Sequence, residues 1–299
     1  LSQTRQHEQH RRVSATAHAV MNIAVDIGNT CLKFGVFSPE QADEMVGFWR
    51  LPTDDTGWIN ERFVRNMTCE VFLTFKTGSL SKKKKEGAAD TYPEPLHWRV
   101  APTGNFPWQK LKKEILALRP KDTFKTITRK KIPLKVDVDS PEKVGLDRLL
   151  AAFAAVKKYG DAPMLVVDMG TAITADVVRN QTFCGGAIFP GLDALADTYP
   201  RISAKLPRIP YDAALSVGLD FPAGNTKGAV FSGIYWGTVG AIRQFYTMCS
   251  DRHETLLILT GGNAKIFLSG LSPMIPAERI RHHEALVLEG INLCTDAVR

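Results

Sequence analysis

Two stretches of the chain share one pattern of apolar and polar positions. Each starts with a short apolar run ending in aspartate, passes through a glycine and small polar residues, and returns to alternating apolar positions. The first is 23–37 (IAVDIGNTCLKFGVF) and the second is 165–178 (LVVDMGTAITADVV). Apolar runs joined by a glycine turn predict β-hairpins. Because the copies lie about 140 residues apart, far beyond solenoid periods, they favour two domains built on one plan.

Two further stretches carry apolar residues at helical intervals. The first, 146–156, follows Gly145 and predicts a buried helix. The second, 284–298, predicts a helix that packs back against a domain. Between the first helix and the second hairpin, residues 159–163 (YGDAP) have the composition of a short linker. Strands and helices in this order predict an α/β fold.

The predicted linker divides the chain into two domains, 21–160 and 161–299. Residues 1–20 are polar and basic without a periodic apolar face, and we interpret them as a disordered extension ahead of Met21. Residues near 74–106 contain a lysine run and several prolines, with little apolar periodicity. We interpret this stretch as an insertion in the first domain that is disordered or offers a partner surface.

Composition limits the classes of protein to consider. The 299 residues are 44% hydrophobic and 23% charged, which excludes disordered and collagen-like chains. No run approaches the ~20 apolar residues of a membrane span. Five scattered cysteines without a C-x-x-C pair favour the reducing cytoplasm over a disulfide scaffold. The net charge of +7 is concentrated in residues 82–85 and 121–135, where a solvated loop is favoured over a nucleic-acid patch.

The two glycine turns have the residue types of phosphate loops. Gly28 and Gly170 let backbone N–H groups approach phosphate oxygens, and neighbouring hydroxyl and amide groups add donors. Asp26 and Asp168 can hold a cation beside the polyphosphate, while Lys33 can neutralise its charge. A single copy would equally well form an ordinary tight turn. Two copies after apolar strands favour phosphate binding.

Asp147 and Arg148 fall in the first turn of the helix predicted after Gly145. A carboxylate in that position is ordinarily a cap or a group favoured by the helix dipole. It can also be a general base that accepts the proton of an attacking alcohol, while Arg148 pairs with an anionic substrate or product. The local sequence leaves both interpretations open.

Together these residues resemble the type III pantothenate kinases of the acetate and sugar kinase/Hsp70/actin superfamily. The similar segments follow the family's motif order over about residues 21–290. They are the nucleotide loop 26–33, the G-x-D-R element 145–148, the second phosphate motif 168–171, the turn 185–191, residues 225–226 and 232–233, and the adenosine-side turn 260–262. Collinear matches of this kind are more specific than any single motif.

The resemblance implies two ribonuclease H-like, actin-like domains with mixed sheets and a nucleotide cleft between them. It implies ATP-dependent phosphorylation of pantothenate to 4′-phosphopantothenate, the first step of coenzyme A biosynthesis. Asp147 would accept the proton of the pantothenate hydroxyl, and Asp168 would hold a monovalent cation, K⁺ or NH₄⁺. Mg²⁺ would accompany ATP. The expected assembly is a homodimer in the cytoplasm, without membrane or nucleic-acid partners.

The resemblance also implies two sets of binding residues. The expected ATP-binding residues are Asp26, Ile27, Gly28, Asn29, Thr30, Cys31, Leu32, Lys33 and Thr171. The expected pantothenate-binding residues are Gly145, Leu146, Asp147, Arg148 and Thr226.

Val138 departs from the family pattern, which commonly has a substrate-contacting tyrosine there. Together with the insertion, it leaves open a kinase for another small hydroxylated substrate. A non-catalytic regulatory homologue also stays open, although retention of the clustered carboxylates Asp26, Asp147 and Asp168 argues against it. The sequence lacks G-x-x-x-x-G-K-[ST], which excludes the P-loop type of pantothenate kinase.

Overall fold

Two mixed β-sheets with helices between and around them form the fold. The computed structural model describes residues 21–38, 44–53, 65, 94–209, 220–249 and 254–294. The interpreted extension 1–20 and the lysine run 82–85 lie outside the described residues. Among the described residues, every helix is too short or too polar to cross a membrane.

The first sheet has five strands in the order β3-β2-β1-β4-β5. Its strands are β1 (Asn22–Ile27), β2 (Cys31–Phe37), β3 (Met45–Pro52), β4 (His97–Pro102) and β5 (Thr123–Thr126). Strands β1, β2 and β3 pair antiparallel, whereas β4 and β5 join parallel to β1. The first predicted hairpin is therefore confirmed, with Asp26 directly opposite Lys33.

Helix α1 (Trp108–Leu118) covers one face of this sheet. Its Leu111 and Ile115 pack with Val25 and other alternate residues of β1. Because successive strand residues point to opposite faces, Asp26 belongs to the other face. The apolar alternation of β1 thus directs its terminal carboxylate away from α1.

The second sheet has six strands in the order β11-β10-β7-β8-β9-β6. Its strands are β6 (Lys135–Val136), β7 (Met164–Met169), β8 (Ala172–Arg179), β9 (Thr182–Pro190), β10 (Leu256–Thr260) and β11 (Ile280–His282). Its β7–β8 pair is the second predicted hairpin. The later helices are α2 (Leu146–Tyr159), α3 (Leu192–Ile202), α4 (Thr226–Met248), α5 (Ala264–Leu271) and α6 (Leu286–Leu293).

Helices α2 and α6 lie between the two sheets. Helix α2 contacts β7 and β8 of the second sheet, while α6 contacts β1, β2 and β4 of the first. The two helices also pack against each other, and Gly290 of α6 lies against the backbone of Leu150 in α2. Their apolar residues form one buried cluster with residues of both sheets, such as Ala24 and Val166. This shared core places the glycine turns of the two sheets close together.

The predicted α/β class with mixed sheets is confirmed, as are both predicted helices. Within the interpreted insertion near 74–106, residues 97–102 form β4, whose Trp98 and Val100 are buried, so this part is neither disordered nor a partner surface. That the stretch is an insertion stays our interpretation. The division into 21–160 and 161–299 stays our proposal, and β6 then crosses from the first segment to pair with β9.

Candidate active site

The turn between β1 and β2 forms the first wall of the site. The backbone N–H of Gly28 donates to the Cys31 carbonyl oxygen at 3.1 Å and closes the turn. Gly104 lies directly on it, since a Cβ there would come within 2.6 Å of the Gly28 and Asn29 backbone. Thr103 Oγ1 donates to Asp26 Oδ1 at 2.7 Å and fixes that carboxylate. The segment after β4 therefore packs against the turn between β1 and β2 and fixes its position.

The turn between β7 and β8 is built in the same way. The backbone N–H of Gly191 donates to the Thr171 carbonyl oxygen at 3.1 Å. A Cβ at Gly191 would lie 2.5 Å from the carbonyl oxygens of Gly170 and Thr171. The two turns meet where Thr30 Oγ1 lies 2.7 Å from Thr171 Oγ1. Residues from the two halves of the chain thus form one cradle of hydroxyl and backbone N–H groups.

Lys33 provides the positive charge of this cradle. Its Nζ lies 3.3 Å from Asp26 Oδ2, and both side chains are largely shielded from solvent. Burial opposes the charged form of the lysine, but the negative charges of Asp26 and Asp168 outweigh it and raise the Lys33 pKa. Lys33 therefore stays protonated at neutral pH and is available to an anionic ligand.

Asp168 ends β7 at the back of the cradle. Burial raises its pKa to about 6, with Lys33 opposing this shift and nearby carboxylates adding to it. Its Oδ1 is buried and accepts no hydrogen bond from any described residue. The described residues contain no cluster of three His, Cys, Asp or Glu side chains around a metal position. The orphaned oxygen nevertheless fits a cation whose remaining ligands come from backbone, substrate or water.

Asp147 lies in the first turn of α2, two residues after its N-cap Gly145. Its Oδ1 accepts a 2.9 Å hydrogen bond from the backbone N–H of Arg148. Burial is the main cause that raises the Asp147 pKa, and the negative charge of Asp26 adds to it. A carboxylate with a raised pKa is a stronger base than an exposed one, which suits removal of a proton from an alcohol.

The Arg148 guanidinium forms an ion pair with Asp176 of β8. Arg148 Nε lies 3.0 Å from Asp176 Oδ1, and Nη2 also contacts that oxygen. The guanidinium carbon lies 5.4 Å from the centre of the Phe183 ring. Asp176 is almost fully buried. The pair ties the start of α2 to the second sheet and fixes the residue that follows Asp147.

Lys33, Asp147 and Asp168 line one cavity of about 240 Å³ together with residues of both glycine turns. A neighbouring cavity of about 210 Å³ shares Lys33 and Asp168 with it and extends to the turn after β10. Gly261 in that turn has a φ of +90° and lies against Asp168, so a side chain there would be strained and would displace the carboxylate. The site is therefore a two-part cleft with Lys33 and Asp168 at its middle.

Comparisons with known proteins identify the family. A family model described as type III pantothenate kinase matches residues 22–248. The chain belongs to the type III pantothenate kinase family. It is 31% identical over 255 residues to the type III pantothenate kinase of Persephonella marina, covering 84% of this chain and 91% of the relative. It is 30% identical over 283 residues to that of Gluconobacter oxydans, covering 92% and 93%.

A solved structure supports the fold. The ethanolamine utilization protein EutJ from Carboxydothermus hydrogenoformans matches with a TM-score of 0.50, covering 92% of this chain and 90% of that one. At 15% sequence identity, this similarity concerns the fold alone.

Most of the residues expected from the type III pantothenate kinase resemblance line the first cavity. They are Asp26, Gly28, Asn29, Thr30, Cys31, Lys33, Asp147, Arg148, Asp168 and Thr171. Ile27 and Leu32 are fully buried in the core of the first sheet, where they support the loop through packing. Gly145 and Leu146 begin α2 outside the cavity lining. Thr226 is exposed at the start of α4 and lines neither cavity of this cleft.

Three residues of the kinase cleft escaped the sequence interpretation: Thr103, Asp176 and Arg50. Thr103 holds Asp26, and Asp176 holds Arg148. Arg50 of β3 lines the second cavity. Asp176 is the last residue of the pattern D-x-G-T-x-x-T-x-D, which runs from Asp168 into β8. The pattern does not show that Asp176 pairs with Arg148, because that contact depends on how α2 packs against the sheet.

Proposed function

We propose that this kinase phosphorylates pantothenate with ATP to give 4′-phosphopantothenate, the first step of coenzyme A biosynthesis. The observation that carries the proposal is the placement of Asp147 in one cavity with both glycine turns. A base beside two phosphate loops suits transfer of a phosphoryl group to an alcohol. The names of the relatives from Persephonella marina and Gluconobacter oxydans supply the acceptor.

In this proposal Asp147 accepts the proton of the pantothenate hydroxyl. The hydroxyl oxygen attacks the terminal phosphorus of ATP, the bond from that phosphorus to the bridging oxygen breaks, and ADP leaves. The backbone N–H groups and hydroxyls around Thr30 and Thr171 hold the phosphate oxygens, and Lys33 neutralises charge that develops on them. Phosphoryl transfer depends mainly on positioning and charge neutralisation, so these few groups suffice. Arg148, fixed by Asp176, positions the acceptor beside Asp147.

Use of ATP follows from the kinase family, and a divalent cation accompanies it. When bound, Mg²⁺ would neutralise phosphate charge and orient the terminal phosphate. Asp168 would hold a monovalent cation, K⁺ or NH₄⁺, through its orphaned Oδ1. The proposal also includes a homodimer in the cytoplasm.

The direct test is a coupled ADP-release assay with ATP, Mg²⁺ and K⁺, comparing pantothenate with sugars, glycerol and acetate. Pantothenate-dependent ADP release and a product of the mass of phosphopantothenate are expected. ADP release with another acceptor and none with pantothenate would show that the enzyme phosphorylates that other substrate by the same mechanism. Absence of turnover with every acceptor, despite nucleotide binding, would favour a regulatory homologue.

Asp147→Asn tests the proposed base in the same assay. The amide keeps the shape of the side chain but cannot accept the proton, so kcat should fall about 100-fold or more while ATP affinity changes little. Glu142→Gln, which removes an exposed carboxylate from the 3₁₀ turn before α2, is the matched control. Turnover of Asp147→Asn near that of the control would contradict the assignment.

A further inference from the structure

Arg50 continues a row of charged residues across the first sheet. Asp26 of β1 pairs in register with Lys33 of β2, and Lys33 pairs in register with Arg50 of β3. Directly paired residues of antiparallel strands present their side chains on the same face. The three side chains therefore lie side by side on the face that looks towards the second sheet, opposite the face covered by α1.

Lys33 and Arg50 lie directly opposite each other and repel, and only Lys33 has carboxylates beside it. Lys33 has Asp26 at 3.3 Å and feels the negative charge of Asp168. The Arg50 side chain forms no hydrogen bond or ion pair with any residue in the described ranges, and it is exposed. Arg50 is exposed, so this repulsion costs little, and an anion beside Arg50 relieves it.

Arg50 reaches across the cleft to the second sheet. Its Nη1 would lie 2.9 Å from a Cβ on Gly262, so the guanidinium rests against the turn after β10. Both residues line the second cavity together with Lys33 and Asp168. The carboxylate of Glu284 in the same lining is 3.9 Å from Lys265 outside the cavity. Arg50 is thus the unbalanced cation of this half of the cleft.

We infer that Arg50 binds the two phosphates that stay on the nucleotide when it leaves as ADP. This inference rests on the proposed ATP site and adds a residue to it. Asp147 lies in the first cavity, so the phosphoryl group that is transferred belongs there, and the rest of the nucleotide continues past Lys33 into the second. Arginine presents a planar fork of donors that matches two phosphate oxygens at once. Arg50 therefore stabilises the leaving diphosphate from the side opposite Asp147.

Equilibrium titration with ADP and Mg²⁺ tests the inference without requiring turnover. Arg50→Gln should weaken ADP binding about tenfold or more, because a charged hydrogen-bonding pair is lost. Arg50→Lys keeps the charge without the fork and should restore part of the affinity. Lys113→Gln removes an exposed cation from α1 on the opposite face and should bind ADP like the unchanged protein. The Tm of the ligand-free variants should stay within the range of the control.

Two results would overturn the inference. One is an ADP affinity of Arg50→Gln equal to that of Lys113→Gln. The other is a loss of affinity that accompanies a drop in the ligand-free Tm and that Arg50→Lys does not repair, which would assign Arg50 a structural role. Pantothenate turnover of the unchanged protein is measured beside the titrations. Absence of pantothenate turnover would contradict the proposed acceptor. The inference that Arg50 binds ADP would still be decided by the titrations.

Discussion

At the scale of single residues, Asp168 connects the cleft to the stability of the fold. Its pKa is raised by burial to about 6, whereas an exposed aspartate has a pKa near 3.8. The folded state therefore binds this proton more tightly than the unfolded state does. The resulting contribution to stability is complete below pH 4 and is lost as the pH rises through 6. The carboxylate is favourable at neutral pH only when a cation compensates it.

Asp168→Asn should remove this dependence on pH. The buffers contain choline as the only added cation. The free energy of unfolding of the variant, minus that of the unchanged protein, should increase between pH 4.5 and 7.5. The gain should reach at most about 3 kcal/mol, the equivalent of the pKa shift. Added K⁺ should stabilise the unchanged protein above pH 6 and leave the variant unaffected. Urea unfolding at several pH values measures both effects. Parallel curves for the two proteins would contradict the prediction.

The residues that could be predicted from sequence are those in a local motif. Gly28 and Gly170 each follow an apolar strand, and the repeat predicted that both turns are phosphate loops. The contact between Thr30 and Thr171 brings the two turns together, as the family resemblance implied. The roles of Arg50 and Asp176 could not be predicted in this way, because the residues beside them are determined by strand register and by how α2 packs. A charged residue in a strand becomes informative only once its neighbours across the sheet are known.

At the scale of elements, the apolar spacing of 284–298 predicted a helix but not its partner. Helix α6 packs on the first sheet, although it follows β11 of the second sheet in the chain. Its period of apolar residues fits either sheet equally well. Similarly, β6 has only two residues, too few to show strand alternation, and its pairing with β9 comes from tertiary packing. The sequence thus indicates the elements, whereas their assembly depends on matching surfaces distant in the chain.

The contact between α6 and α2 should tolerate no added atom at Gly290. A Cβ there would overlap the Leu150 carbonyl group, which belongs to backbone and cannot rotate away. Gly290→Ala should therefore lower the free energy of unfolding by about 1–3 kcal/mol, despite the better helix propensity of alanine. Gly224→Ala is the control, because a Cβ at Gly224 has no heavy atom within 4 Å. Urea unfolding compares the two. Equal stability of both variants would show that the helices separate easily.

At the scale of the whole molecule, the shape of the cleft depends on the core that α2 and α6 form between the two sheets. Asp147 lies in the first turn of α2, and the apolar face of the same helix packs into the cluster shared by both sheets. A change in the spacing of the sheets would therefore move Asp147 relative to the Thr30 and Thr171 loops. Residues as distant in sequence as Ala24 and Leu288 belong to that one cluster.

The proposed homodimer concerns a face of α4 that is partly exposed in the described part of the chain. Helix α4 exposes Gly233, Trp236, Gly237 and Gly240 on one side, while its other side packs into the core of the second sheet. Trp236 is 37% exposed, and burial of a large aromatic side chain is a common source of affinity at interfaces. The small glycines allow close approach of another surface. We expect α4 to pack against a second copy of the chain.

Trp236→Glu should convert this dimer to a monomer, because it replaces the aromatic side chain expected in the interface by a carboxylate that would have to lose its hydration. Size-exclusion chromatography with light scattering over a concentration series measures the mass. Met274→Glu, which charges an exposed apolar residue just after α5, should keep the mass of the unchanged protein. An unchanged dimer in Trp236→Glu would place the interface elsewhere. A monomeric unchanged protein at every concentration would reject the dimer itself.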